Sequence, residues 1–270
     1  MKTELTEAQI QAYRRQGVLF YPRLLEPAEV AELKAAVLET VAAMGKRKIA
    51  GPGADMSEGD SYYDKVFTQR LNLWRINETV KRYMLSPKLG RMLCQLEDQQ
   101  GFRIWHDQAL IKEPFGNPTA WHLDNPYWSF HSRHALSIWI ALEHATPYNG
   151  CMCFIPGTHQ LARYDNVGIG ANMADLFKLY PQMAEVDPVA YPMEPGDCSF
   201  HNGLVAHGAG ANMTRTRRIA MTCAYMPVGS TFNGQQNVLP ADYFNSLKPG
   251  QLLENNDLNP MVGQLTGEVQ

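Results

Sequence analysis

Beyond about residue 100 the chain becomes a succession of short β-forming segments separated by turn signals, and no other feature limits its fold as strongly. Segments 103–112, 135–143, 151–155, 197–201 and 218–226 carry the β-branched, aromatic and alternating residues of strands. Asn149-Gly150 stands between two of them and is the dipeptide most favoured in a two-residue hairpin, because both positions tolerate a positive φ. Many short strands divided by turns imply a sandwich or barrel.

The first hundred residues follow a different period. Thr6 followed by Gln9 has the form of a capping box, and Gly17 would close the short helix that it starts. Pro27 suits the first turn of a second helix, in which Val30, Leu33, Val37, Val41 and Met44 recur at spacings of three and four before Gly45. The Gly-rich stretch 46–63 reads as a mobile loop, and a third helical stretch spans about 78–96. The expected fold class is therefore mainly β, a jelly roll (double-stranded β-helix) with N-terminal packing helices. Such a fold turns one face of each strand toward a central cavity. One domain is expected over 1–270, with a helical part to about 100, a jelly-roll part over about 101–230 and a C-terminal tail over 231–270. Segment 161–189 is long and irregular, as a lid or binding loop would be.

Composition excludes several functions. A formal net charge of −3 gives no electrostatic reason to expect nucleic acid or an anionic membrane as a partner. No window approaches the roughly 18 apolar residues of a membrane span, and the opening residues carry no signal-peptide pattern. Five sparse cysteines do not make a disulfide framework, so a cytoplasmic location is expected. Cys151 and Cys153 would sit on one face of a core strand. A small-molecule substrate is the expected partner, and monomer and homodimer remain equally open.

The chemistry lies in Trp121-His122-Leu123-Asp124. In an extended segment residues i and i+2 point to one face, so the imidazole and the carboxylate can converge on one ion. His207, between Ala206 and Gly208, supplies a second imidazole from a neighbouring strand. Two neutral histidines and one carboxylate occupy one face of an octahedral ion and leave three positions open, which oxygen chemistry requires. With eight histidines in the chain, other pairings arise by chance. His106-Asp107 is excluded as a chelate, because adjacent strand residues face opposite ways. His131, His134, His144 and His159 read as surface or hydrogen-bonded histidines, whereas His201 shares the His207 segment and can support a ligand from behind.

Arg218 lies eleven residues after His207, across a turn that would return it toward the metal. A buried guanidinium facing a cavity needs a carboxylate partner, and a dicarboxylate co-substrate chelating iron at one end supplies it at the other. Arg215 and Arg217 read as solvated charges.

With these residues the chain resembles the phytanoyl-CoA dioxygenase family of Fe(II)- and 2-oxoglutarate-dependent oxygenases. The resemblance rests on Gly17-Val18-Leu19-Phe20, Lys112-Glu113-Pro114, Trp121-His122-Leu123-Asp124, Trp139-Ile140-Ala141-Leu142, Asn149-Gly150, Ile155-Pro156-Gly157-Thr158-His159 and Pro195-Gly196-Asp197, in order along nearly the whole chain. It implies that Fe(II) sits on His122, Asp124 and His207, and that 2-oxoglutarate is anchored by Arg218 and lined by Trp139 and Gln108. O2 would be the second co-substrate, with succinate and CO2 released and an unactivated C–H bond of a small or medium-sized metabolite hydroxylated. Ala209 stands where relatives have a serine or threonine, which removes one hydrogen bond to the co-substrate. Asn125, Tyr127, Trp128 and Phe115 flank the ligand segment and are the candidate substrate wall. Two rival readings remain. A non-catalytic, metal-stabilised jelly-roll binding protein would have no use for Arg218, and a hydrolytic zinc enzyme would need a further carboxylate as base.

Overall fold

The computed structural model describes residues 1–264. Its helical part follows the local signals. In α1 (Glu7–Gln16) the Thr6 hydroxyl accepts the Gln9 N–H at 3.3 Å, and the Gln9 side chain accepts the Thr6 N–H at 2.9 Å. Gly17, at φ 73°, ends the helix and leads into β1 (Val18–Tyr21). The second expected helix is α2 (Pro27–Met44), with Val30, Leu33 and Val37 buried. A short β2 (Thr68–Leu71) follows. The third expected stretch is two helices, α3 (Glu78–Met84) and α4 (Pro87–Glu97). Pro87 disfavours helical backbone at Ser86, so α3 stops before it and α4 starts afresh with the proline in its first turn.

The five expected strands appear, with ends shifted by one or two residues, as β3 (Gly101–Lys112), β5 (Leu136–Ala141), β6 (Met152–Phe154), β8 (Cys198–Asn202) and β10 (Arg218–Pro227). Between and beyond them lie β4 (Thr119–His122), β7 (Val189–Tyr191), β9 (His207–Ala209) and β11 (Met261–Gln264). These four and β2 are three or four residues long, too short for an alternating pattern to stand out. The pairings among these strands are antiparallel. The larger sheet runs β1-β8-β5-β10-β3-β11, with β2 also on β3, and the smaller runs β4-β9-β6-β7. This is the expected jelly roll.

Asn149-Gly150 does not make a hairpin. Gly150 adopts φ 83° and the Cys151 N–H donates to Thr146 O at 2.9 Å, so the turn forms. It carries the chain from one sheet to the other, because β5 pairs with β8 and β10 while β6 pairs with β9 and β7. The dipeptide specifies a reversal. Burial decides the partner: every residue of β5 is buried, and only the middle of the large sheet covers both its faces.

That sheet has two different sides. Ile138, Ile140, Phe200, Ile219, Met221 and Cys223 face outward and pack with Leu33, Val37, Leu89 and Leu93 of the helices. Trp139, Ala141, Leu110 and Ala220 face inward and pack with Met152, Phe154 and Val205 from the smaller sheet's side. Segment 161–189 is less irregular than expected, since it holds α5 (Asp175–Leu179) and a 3-10 turn at Pro181–Glu185. Leu176, Tyr180 and Met183 bury against Leu123, Leu204 and Ala206, next to the ligand segments. Among the described residues no helix is long and apolar enough to cross a membrane.

Asp107 ties the helical part to the sheet. Its buried carboxylate accepts the backbone N–H of Leu73 at 2.7 Å and of Trp74 at 2.8 Å, at the 3-10 turn before α3. Asp107→Ala leaves both buried donors without an acceptor, at about 1–3 kcal/mol each. The expected outcome is a loss of roughly that size or more in urea unfolding, with an unchanged m-value.

Candidate metal and co-substrate site

His122 and His207 face each other because their strands pair in register at those two residues. Their rings lie 4.1 Å apart, centroid to centroid. His122 Nδ1 lies 2.9 Å from Ala120 O, and His207 Nδ1 lies 3.0 Å from Val205 O. Each carbonyl fixes the proton on Nδ1 and leaves Nε2 as a lone-pair donor toward the shared centre. Burial lowers the His207 imidazole to about 3, so the ring is neutral, the form that binds a metal.

Asp124 arrives by a different route from the one expected. It is not on the strand: at φ −78°, ψ −50° it precedes the 3-10 turn Asn125–Tyr127. The turn, rather than the pleat, brings the carboxylate back toward His122. Asp124 Oδ1 is 3.6 Å from Nε2 of both His122 and His207. Within 4.8 Å of one another, these three side chains offer two nitrogens and an oxygen, the donor set of a divalent transition metal.

The other carboxylate oxygen is held from the large sheet. Ser137 Oγ donates to Asp124 Oδ2 at 3.2 Å, and His201 Nε2 lies 3.5 Å from it. Ser137 and His201 are register partners on β5 and β8, so one inward row of the sheet supports the turn. His201 was recognisable from its place near His207. Ser137 gave no signal, since a serine within an apolar run carries no pattern.

Arg218 begins β10 on the same face as Ala220 and Thr222, the inward one. It is fully buried, with its guanidinium 5.1 Å from the Trp139 ring and 5.4 Å from that of Phe67. Nη1 makes a long bond of 3.4 Å to Leu110 O, whereas Nε and Nη2 have no partner. Burial lowers this group only to about 10, so it remains a cation. A buried cation with two unpaired donor atoms fits an anionic ligand. Phe67, Leu110, Gln108, Trp139, Thr222 and Ala209 surround a narrow space reaching His122, Asp124 and His207. Arg217 is exposed and paired with Glu113 at 3.4 Å, and Arg215 is exposed as well, as solvated charges should be.

Lys112, opposite Arg218 in the β3–β10 register, was not anticipated. Fully buried, its Nζ donates to Asn117 O and Gly210 O at 2.9 Å each, clasping the loop before β4 to the end of β9. Burial, then the neighbouring Arg218, lowers it to about 7.

A second cavity of about 380 Å³ opens beside His122 and Asp124. Of the four candidate wall residues, Tyr127 and Trp128 line it. Asn125 does not: it is fully buried and holds its own turn, donating to Phe130 O at 3.1 Å and accepting from Ser132 N at 2.9 Å. Phe115 is also misplaced, on a loop at φ 60° and 69% exposed, away from both cavities. Sequence proximity failed here because the chain reverses between Lys112 and Thr119. Most of the wall comes instead from distant segments: Lys48, Met56 and Tyr63, then Gln69 and Leu71 of β2, His106 of β3, Ile169, and Asn237 with Val238.

Residues 13–220 match the family model described as Phytanoyl-CoA dioxygenase (PhyH). The chain is 29% identical over 237 residues to methylphosphonate hydroxylase of Gimesia maris, covering 83% of this chain and 82% of that protein. It is 28% identical to the peroxisomal phytanoyl-CoA dioxygenase of Mus musculus, over 82% of this chain and 68% of that one. Among solved structures it superposes on SnoK, a non-heme alpha ketoglutarate dependent carbocyclase from nogalamycin biosynthesis, with a TM-score of 0.78, 28% identity and coverage of 96% and 97%. The epimerase SnoN, in complex with Fe3+, alpha ketoglutarate and nogalamycin RO, gives a TM-score of 0.74 at 25% identity, with 95% and 98% covered. The His-x-Asp turn, the facing histidine and the buried arginine are thus embedded in a chain that belongs to the phytanoyl-CoA dioxygenase family, the Fe(II)-, 2-oxoglutarate- and O2-dependent oxygenases.

Proposed function

We propose that His122, Asp124 and His207 hold the iron, that Arg218 takes the distal carboxylate of 2-oxoglutarate beside Trp139 and Gln108, and that the enzyme hydroxylates an unactivated C–H bond of a small or medium-sized metabolite. The observation that carries this reading is Arg218: a fully buried cation with two unpaired donor atoms, packed on Phe67 and Trp139, which line the same narrow space as the three ligands. A non-catalytic metal-stabilised jelly roll has no use for it. When bound, iron supplies the redox chemistry that couples decarboxylation of 2-oxoglutarate to oxidation of the substrate.

The chain's own residues do the rest. Ala120 O and Val205 O hold the two imidazoles in the ligating tautomer, and Ser137 holds Asp124 Oδ2 so that Oδ1 faces the histidines. Phe67 and Trp139 flank the guanidinium and keep water from it, which strengthens its pairing with a carboxylate. Ala209 offers no hydroxyl there, so the arginine bears more of the anchoring. Hydroxylation is the reaction named for the Gimesia maris relative, whereas the carbocyclase and the epimerase share the fold with other outcomes. The net charge and the sparse free cysteines support a cytoplasmic enzyme acting from one domain over the whole chain, as a monomer or homodimer.

Succinate formation from 2-oxoglutarate under Fe(II), ascorbate and oxygen is the test. Wild-type protein is expected to produce it slowly without substrate. His122→Ala and His207→Ala are expected to abolish it while thermal unfolding stays cooperative; activity retained by either would remove that residue from the ligand set. Arg218→Lys loses the forked geometry, and with a charge-assisted hydrogen bond worth roughly 1.5–3 kcal/mol, 2-oxoglutarate affinity is expected to fall about tenfold or more with metal content unchanged. Arg215→Lys and Arg217→Lys are expected to leave it as it was.

A further inference from the structure

The larger cavity bears on the substrate itself. Among the described residues its walls carry one cation, Lys48, and that ammonium is already in contact with the Asp64 carboxylate. Both side chains are more than nine-tenths buried, and Asp64 is further held by Ser61 Oγ at 2.6 Å. The pair is therefore closed on itself, and opening it to serve a ligand would strand a buried charge. Among the described residues Asp124 is the one carboxylate on the wall, and it belongs to the candidate metal ligands.

The remaining polar groups are uncharged. Tyr127 O–H donates to Val167 O at 2.5 Å, and Gln69 Nε2 donates to Gln108 Oε1 at 2.5 Å. His106 is different, because it is 97% buried, lines the cavity and has an Nδ1 without any partner. Its ring meets Trp128 edge-on at 6.2 Å and 85°, so a neutral hydrogen-bonding ring and a flat aromatic face stand side by side. Met56, Leu71, Ile169 and Val238 complete an apolar surround. A volume of about 380 Å³ lies in the range of pockets that take whole small organic molecules.

We propose that the substrate is an uncharged, oxygen-bearing molecule with a flat ring body, packed on Trp128 with a hydroxyl or carbonyl oxygen hydrogen-bonded by His106. This rests on the oxygenase reading for the site's chemistry but not for its binding preference. A carboxylate, phosphate or ammonium on the buried part of the ligand would be desolvated with no counter-charge, which a neutral oxygen avoids. The Lys48–Asp64 pair acts as a specificity element: it contributes polarity to the wall while withholding its charge.

The test uses full-length protein loaded with Zn(II) and saturating 2-oxoglutarate, so that binding is read by calorimetry without turnover. The probes are 5-hydroxytetralone and 2-naphthol, each beside an analogue in which a carboxylate or an aminomethyl group replaces the hydroxyl. Wild-type protein is expected to bind the uncharged probes at least about tenfold more tightly than either charged analogue. Asp64→Asn frees Lys48 and is expected to tighten the carboxylate analogues about tenfold, with the uncharged probes unmoved. His106→Phe, which keeps a ring in place, is expected to weaken the uncharged probes about tenfold. Equal or tighter binding of the charged analogues by wild-type protein, or no binding of either uncharged probe, would overturn the proposal. Binding as expected without any succinate formation in the Fe(II) protein would instead leave it standing and overturn the oxygenase reading.

Discussion

The register of β10 against β3 and β5 is the constraint on which the site depends. It aligns Thr222 with Gln108 and Trp139, Ala224 with His106 and Ser137, and Arg218 with Lys112. Through β8 the rows continue to Ser199 and His201. Because side chains alternate, all of these share the inward face, and a slip of one residue would send them into the helical layer and bring Ile219 and Met221 inside. Such a slip is opposed by the apolar cluster on the outer face, where Ile138, Ile140, Phe200 and Met221 pack against the helices. Among the described residues the α-helices put no side chain on either cavity, yet they fix which side of the sheet faces them.

Charge is distributed inside this enclosure in a definite way. Arg218 lies against Phe67 and Trp139, two rings of the narrow space, and Lys112 beside it is occupied with three oxygens of the chain, Asn117 O, Thr119 Oγ1 and Gly210 O. Arg218 is thus the cation left for a ligand. Toward the opening, Lys48 is closed by Asp64 and the walls become neutral. On the proposed assignment, an anion would be drawn to one end while the other would suit a neutral molecule, so a single cavity system would keep a dicarboxylate and a substrate apart without a wall between them. The ligand turn at Asp124 stands where the two regions meet, lining both.

Much of this was legible in the residues, and the failures have physical causes. The capping box at Thr6, the proline-led α2 and the five longer strands were readable because each is specified locally by period or cap. Asn149-Gly150 misled because a turn dipeptide encodes a reversal and not the strand's partner. Asp124 does lie beside His122 and His207, but the i, i+2 rule assumes a strand through Asp124, and the strand ends at His122. Phe115 and Asn125 were chosen by closeness in sequence, but one projects from a loop and the other caps its own turn. The cavity wall gathers Lys48, Gln69, His106 and Asn237 from four separate parts of the chain, and nothing local marks residues that converge only through tertiary structure. Ser137 and Lys112 were hidden likewise, a short hydroxyl and a strand-end cation whose roles exist only once β4 and β9 lie across from them.

The central claim is that one inward-facing register gathers an iron site and a co-substrate anchor in a single enclosure. Anomalous diffraction from crystals grown anaerobically with Fe(II) and 2-oxoglutarate measures it most directly. The account requires a single iron peak in contact with His122, Asp124 and His207, and 2-oxoglutarate density running from it to the Arg218 guanidinium between Trp139 and Phe67. Iron held by any other residues, or a co-substrate whose distal carboxylate lies away from Arg218, would contradict it.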